Sequence, residues 1–399
     1  MDAADPMAAF RARFTLPKGV IYLDGNSLGP TPAATRGRID EAVSREWGEG
    51  LIRSWNNEDW IGAPARVGAK IARLIGAGPG EVVVADSTSV NLFKLLSAAL
   101  RARPDRKVIL TEAGNFPTDL YVAQGLADLL PGVEVRAVAP EAVEAGIDET
   151  VAVVLLTHVH YKTASRRDMA AITAAAHRAG ALILWDLSHS AGAIEVDLGA
   201  CDADLAVGCG YKFLNGGPGA PAFLYVARRL RDELRSPLTG WMGHAAPFDF
   251  VDDFRPATGI ERFLCGTPPI LGLLALEVGI DLALEADMAA VAAKSAALWD
   301  LFAAEVEARL AGQGFSLITP GDPAARGSHI AFTHPQAYGV VQALIARGVI
   351  GDFRDPDVMR FGITPLYLGF EDVWRAVAIL AEIMETEAWR AAPPRGRVT

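Results

Sequence analysis

The sequence predicts an α/β fold, a large domain built on a mostly parallel sheet followed by a smaller α+β domain. Three observations carry that expectation. From residue 81 to 226 short β-branched or apolar runs alternate with helix-like stretches, and over 271–311 a long Ala/Leu/Glu-rich stretch breaks the rhythm. The chain's 399 residues also exceed what one hydrophobic core usually organises.

The expected strands of the large domain are EVVVA (81–85), KVILT (107–111), EVRAV (134–138), VAVVLL (151–156), ALILW (181–185), DLAVG (204–208) and APAFLYV (220–226). Between them SVNLFKLLSAAL (89–100) and DMAAITAAAHRAG (168–180) have helical periodicity. Strands that alternate with helices give a parallel sheet buried on both faces. After about residue 270, one or two helices are followed by the strands FSLITP and SHIAFT and the closing helix FEDVWRAVAILAEIMETEAW. The expected division is an N-terminal segment (1–50) packing on the small domain, a large domain (51–275) and a small C-terminal domain (276–399).

Composition excludes several function classes. Hydrophobic residues at 51% and charged residues at 21% describe a globular protein. A net charge of −11 argues against a general nucleic-acid or anionic-membrane surface, both of which need basic patches. It leaves room for an anionic small molecule held by a few local donors. No run of about 18 apolar residues exists to cross a bilayer, and the N-terminus MDAADPMAAFRARF lacks the apolar core of a secretory signal. Cys201, Cys209 and Cys265 are odd in number and without metal-ligand spacing, as expected for reduced thiols of a cytoplasmic enzyme.

Ligands of open α/β sheets sit beyond the carboxyl ends of the strands. Here those ends carry DSTSVNLFK, EAGNFPTDLY, THVHYKT, DLSHSAGA and CGYKFLNGGPG, which reads as a catalytic rim. Lys212, just past a strand and beside Phe213 and Leu214, can form a Schiff base with an aldehyde cofactor; a surface lysine in a Gly-rich turn is the plainer alternative. Asp186 ends an apolar strand, where a charge is uncommon unless paired. It can bond a protonated pyridine nitrogen, or merely cap a helix. His189 can lie beside the cofactor or be a hydrogen-bonded structural histidine. Thr88 and Ser89, at the start of an apolar helix, can hold a phosphate, although Ser89 can equally be that helix's cap. Phe116 can stack on a pyridine ring or fill a core.

The order of these residues, hydroxyls at 88–89, aromatic at 116, aspartate at 186 and lysine at 212, resembles the large domain of fold type I pyridoxal-phosphate enzymes. Several blocks are similar to those of kynureninases: YLDGNSLGP (22–30), STSVNLFKLL (87–96), FPTDLY (116–121), DLSHSAGA (186–193), YKFLNGGPG (211–219), GWMGH (240–244) and CGTPPI (265–270). They span roughly residues 20 to 370 in the family's order. The resemblance implies a mostly parallel seven-stranded sheet and pyridoxal 5'-phosphate on Lys212, with Asp186 at the ring nitrogen and Phe116 over the ring. Thr88, Ser89 and Tyr211 would reach the phosphate, and Asp119, Thr157 and His189 would complete the surroundings. Trp241 and Thr267 would come from the other subunit of a homodimer. Arg360 in RFGITPLY would grip the substrate α-carboxylate, with Asn26 nearby, rather than serve as an exposed salt-bridge partner.

The implied reaction is hydrolysis of L-kynurenine to anthranilate and L-alanine, a step of tryptophan degradation and NAD biosynthesis. The freed lysine would remove the α-proton, water would add to the γ-carbonyl, and the Cβ–Cγ bond would break. Tyr211 would act as an acid/base or only as a phosphate ligand. Threonine at 267, where animal members carry asparagine, points to unsubstituted kynurenine over its 3-hydroxy form, with Trp47 in the same region. The alternatives are a class V aminotransferase, a cysteine desulfurase or a catalytically inert binding protein of the same fold. No cysteine follows Cys265 to serve a desulfurase, GWMGH and CGTPPI speak against an aminotransferase, and an inert scaffold would be expected to lose Lys212 or Asp186.

Overall fold

The computed structural model describes residues 1–396. The strands are β1 (Ile21–Tyr22), β2 (Val82–Val84), β3 (Val108–Glu112), β4 (Glu134–Val138), β5 (Val151–Thr157), β6 (Leu182–Asp186), β7 (Leu205–Gly208), β8 (Phe223–Val226), β9 (Ser316–Leu317), β10 (His329–Thr333), β11 (Val349–Ile350), β12 (Asp352–Arg354) and β13 (Val358–Gly362). β2 to β8 form one seven-stranded sheet in the order β2-β8-β7-β6-β5-β3-β4. Only β8 runs against its neighbours, so the sheet is mostly parallel, as the alternating pattern predicts.

Every residue of β3, β5, β6 and β7 is buried, because helices cover both faces. That is why these strands read as continuous apolar runs. The edge strand β4 is the exception. Its Glu134 and Ala137 are exposed, and charges on such an edge discourage pairing with another chain. One face is closed by the helices Ala63–Leu74 and Ile270–Leu284, through Val67, Ile71, Leu273, Leu276 and Ile280. The other carries the helix Thr88–Ala102, through Leu92, Leu95, Leu96 and Ala99.

The elements from Met288 onward share a separate core. β12-β13-β10-β9 form an antiparallel sheet, and the helices Met288–Leu310, Ala337–Ala346 and Phe370–Glu385 pack with it through Phe302, Val341, Val377 and Leu380. Met7, Phe14, Ile21 and Leu23 of the N-terminal segment belong to this core too, and β1 pairs in parallel with β11. The Ala/Leu/Glu-rich stretch resolves into two helices, Ile270–Leu284 and Met288–Leu310, and Asp287 caps the second by accepting from the Ala289 amide at 3.0 Å. Ile270–Leu284 runs across the expected boundary at 275/276: its Leu273 and Leu276 join the large sheet's core while Leu282 joins the other.

Candidate active site

Five segments at the carboxyl edge of the large sheet converge on one cleft. Ser87, Thr88 and Ser89 follow β2, Phe116 and Thr118 follow β3, Thr157 ends β5, Asp186 ends β6 with Ser188 and His189 just beyond, and Tyr211 and Lys212 follow β7; with Tyr161 these residues line it. Continuous apolar strands register their last residues at a common edge, so side chains distant in sequence meet there.

Lys212 is buried, and its Nζ lies 3.0 Å from His189 Nε2 and 5.7 Å from the Phe116 ring centroid. Burial, then the positive charges of Lys212 and its surroundings, hold the His189 imidazole well below its usual range. It is therefore neutral and accepts from Lys212, and its Nδ1 finds no partner among the described residues. The Phe116 ring is set edge-on to Tyr161 at 5.3 Å.

Two carboxyl groups are buried beside the amine. Asp186 Oδ1 accepts from the Ser188 amide at 2.7 Å in a turn, and no helix begins there, so the capping alternative is not realised. Burial raises the Asp186 carboxyl, opposed by Ser188 and by the charge of Lys212. Asp119 is fully buried with no hydrogen-bond partner for either oxygen among the described residues, and burial, then the charge of Asp186, holds its carboxyl well above the ordinary carboxylate range. Unpartnered buried oxygens are costly unless a ligand satisfies them. Thr157 donates to Asn115 Oδ1, which also takes the Phe116 amide at 2.7 Å and so fixes the start of the helix Pro117–Leu129.

Ser87, not Ser89, caps the helix Thr88–Ala102, its Oγ accepting from the Val90 amide at 3.4 Å. Thr88 and Ser89 thus occupy the first helical turn, where amides and the helix dipole favour a phosphate. Tyr211 lines the same cleft, its ring centroid 5.9 Å from Lys212 Nζ and its phenol pushed up by burial and so neutral.

Arg360 and Asn26 lie behind the Tyr161 wall. Arg360 is buried on β13, donating through Nη1 to the Tyr161 carbonyl and through Nε and Nη2 to Asp352. It is a salt-bridge partner, but a buried one. Asn26 is fully buried with both side-chain amide atoms unpartnered among the described residues, and a Cβ added at Gly362 would come within 2.4 Å of its Oδ1, so glycine is what leaves the amide its space.

Trp241 and Thr267 do not reach the Lys212 cleft. They line a separate apolar hollow with Ile52, Trp55, Met242 and Phe248. Trp241 and Trp47 are largely exposed, at 42% and 56%. The sequence reading left Ser87, Asn115 and Tyr161 unassigned; each lies in a polar string past a strand, with nothing in its residue type to separate it from its neighbours.

Asp24, beside Arg360, offers a test by pH. Burial, then the charge of Asp352, pushes its carboxyl from 3.8 up to about 7, against the pull of Ser27 and Arg360. Arg354 and the Tyr22 and Tyr367 phenols are the other titratable neighbours. A carboxyl raised in the folded state binds more protons there than when unfolded. Its contribution to stability is thus complete below about pH 4 and is lost as pH rises toward 7. Asp24→Asn keeps the neutral shape at every pH. Between pH 5 and pH 8 the variant is expected to gain on the wild type by on the order of 2 kcal/mol in urea unfolding. A difference that does not change with pH would refute the assignment.

Comparisons with known proteins bear on the family and the fold. The family described as kynureninase C-terminal domain matches residues 291–380. A kynureninase from Pseudomonas fluorescens is 53% identical over 398 residues, covering 98% of this chain and 96% of its own. One from Burkholderia pseudomallei (strain 1106a) is 52% identical over 397 residues, covering 98% and 95%. Among solved structures, a cysteine desulfurase from Thermococcus onnurineus NA1 superimposes with a TM-score of 0.80 at 20% identity, covering 95% of this chain and 98% of its own. The Escherichia coli cysteine desulfurase CsdA does so at 0.78 and 21%, covering 95% and 98%. These structures share the fold type I architecture, and at that identity they speak for the fold alone.

Proposed function

The chain belongs to the kynureninase family, and from that premise we propose that it hydrolyses L-kynurenine to anthranilate and L-alanine in the cleft around Lys212. It is a pyridoxal-phosphate-dependent hydrolase acting on a carbon–carbon bond. The observation that carries the residue assignment is the buried Lys212 amine at 3.0 Å from a neutral His189, with the Phe116 ring at 5.7 Å and two buried carboxyl groups alongside.

These residues fit the cofactor. Lys212 would hold its aldehyde carbon, Asp186 would pair with the ring nitrogen, and Asp119, Thr157 and His189 would complete the surroundings. Phe116 would cover the ring, and Thr88, Ser89 and Tyr211 would bind the phosphate. Once bound, the cofactor supplies an electron sink for the cleavage. The chain's own part is to place groups and move protons. The released Lys212 amine takes the proton from the substrate α-carbon. Neutral His189 steadies that amine through Nε2, and Arg360, with Asn26 beside it, grips the α-carboxylate. Neutral Tyr211 is a donor to the phosphate and, after cleavage, a proton source.

The active unit is read as a homodimer in which Trp241 and Thr267 complete the other subunit's site. The exposed Ile52, Phe248, Phe250 and Val251 around that hollow support this, since contiguous apolar surface marks contact sites. Sedimentation of the active enzyme is expected to give a dimer, and a fully active monomer would refute it. Thr267→Asn is expected to shift kcat/KM about 5-fold toward 3-hydroxykynurenine, because the longer amide offers a donor and an acceptor to the ring hydroxyl. An unmoved ratio would remove Thr267 from substrate choice.

No helix among the described residues is long and apolar enough to cross a membrane. The free cysteines support placement in the cytoplasm. The separate cores support a large domain and a small one, described as far as residue 396 and meeting within the helix Ile270–Leu284 rather than at 275/276, with Met7, Phe14, Ile21 and Leu23 of segment 1–50 in the small domain's core. The reaction is tested by offering L-kynurenine to the loaded enzyme. Anthranilate fluorescence should rise with one alanine per anthranilate; kynurenine consumed without anthranilate would point to the aminotransferase alternative.

A further inference from the structure

The Arg360 guanidinium has two edges able to take a carboxylate bidentately, and one is already in use. Nε donates to Asp352 Oδ1 at 2.7 Å and Nη2 to Asp352 Oδ2, with both side chains almost fully excluded from solvent, at 2% and 1%. Among the described residues the other edge, spanning Nη1 and Nη2, meets only the Tyr161 carbonyl and the Ser27 hydroxyl oxygen, the latter at a long 3.2 Å. Tyr161 itself lines the Lys212 cleft.

The backbone explains why the first edge is fixed. Asp352 and Arg360 are directly opposite in the β12–β13 ladder, so their side chains leave the same face of the sheet. Ser27, next to Asn26 in the GNSLG block, donates to Asp352 Oδ2 at 2.6 Å and ties the N-terminal segment to this pair. Arg354 Nη2 reaches the same oxygen at 2.8 Å, so the carboxylate is held from three sides. An unsupported arginine side chain samples many rotamers, and one locked along Nε/Nη2 presents its terminal edge in a single direction.

We propose that Asp352 is the positioning residue for substrate binding. With Ser27, it holds Arg360 so that the Nη1/Nη2 edge is offered to the α-carboxylate. This rests on the reading of Arg360 as the carboxylate-binding group. A purely structural ion pair would require the same distances but would not distinguish ligands by their carboxylate.

The test compares L-kynurenine with kynuramine, the same molecule lacking the α-carboxylate, on the cofactor-loaded enzyme. For Asp352→Asn the KM for L-kynurenine is expected to rise about 10-fold or more, with kcat within about 3-fold of wild type. The inhibition constant of kynuramine, also read by absorbance titration, should stay within about 2-fold. Equal losses for both ligands, or an unchanged KM, would overturn the proposal. If Asp352→Asn does not fold, Ser27→Ala carries the same comparison at a smaller scale, about 3-fold in KM with kynuramine unchanged, and no change there overturns it. Arg360→Lys, run in parallel, separates the two claims. If it leaves the KM unchanged, the reading of Arg360 fails; if it raises the KM while the Asp352 and Ser27 variants do not, only the positioning claim fails.

Discussion

Lys212→Ala is expected to abolish turnover, by at least about four orders of magnitude in kcat, while the protein stays folded. The amine is buried in the cleft with a direct partner there, His189 Nε2 at 3.0 Å. Alanine can neither hold an aldehyde cofactor covalently nor carry a proton. The fold should survive, because the neighbouring backbone is held independently: the Asn215 amide donates to the Lys212 carbonyl at 3.0 Å and the Gly29 amide to the Tyr211 carbonyl at 2.8 Å. Truncating the aliphatic stem costs about 2 kcal/mol of packing, tolerable for a chain of this size. The check is kcat alongside circular dichroism. A near-normal rate without added amine would remove Lys212 from the chemistry.

Asp186→Asn is expected to keep the cofactor bound and to lower kcat by about two to three orders of magnitude. The buried carboxylate costs desolvation energy, which a bound pyridinium would offset. Asparagine retains an oxygen for the Ser188 amide, now accepted at 2.7 Å, so the turn should persist. What it loses is the negative charge that keeps the ring nitrogen protonated, and each pKa unit there is worth about 1.4 kcal/mol. Cofactor absorbance and kcat are read together. Unchanged turnover would leave Asp186 only its turn-forming role.

Much of this was legible in the residues. All seven strands of the large sheet were predicted because strands buried on both faces are unbroken apolar runs, and their polar ends delivered Asp186, Thr157 and Lys212 to one edge. β11 to β13 were not read. The segment from Val349 to Gly362 is interrupted by Asp352, Arg354 and Arg360, and the burial of Asp352 and Arg360 against each other, with half-buried Arg354 alongside, disguises an interior sheet as a polar loop. The helix Pro117–Leu129 is not legible either, because FPTDLY reads as a polar strand end rather than as a helix start. The sequence offers Ser89 as either helix cap or phosphate ligand; the cap is Ser87, two residues earlier, and Ser89 lies in the first helical turn. Trp241 and Thr267 fit the Lys212 cleft only if a second subunit brings them, which no pattern in one chain can display.

The central claim is that Lys212 carries pyridoxal 5'-phosphate, and borohydride reduction of the loaded enzyme followed by peptide mass mapping tests it most directly. The account predicts that the yellow colour disappears and that the peptide containing Tyr211, Lys212 and Phe213 gains the mass of one reduced phosphopyridoxyl group. Reduction that places this mass on any other lysine, or leaves the cofactor removable by dialysis, would contradict it.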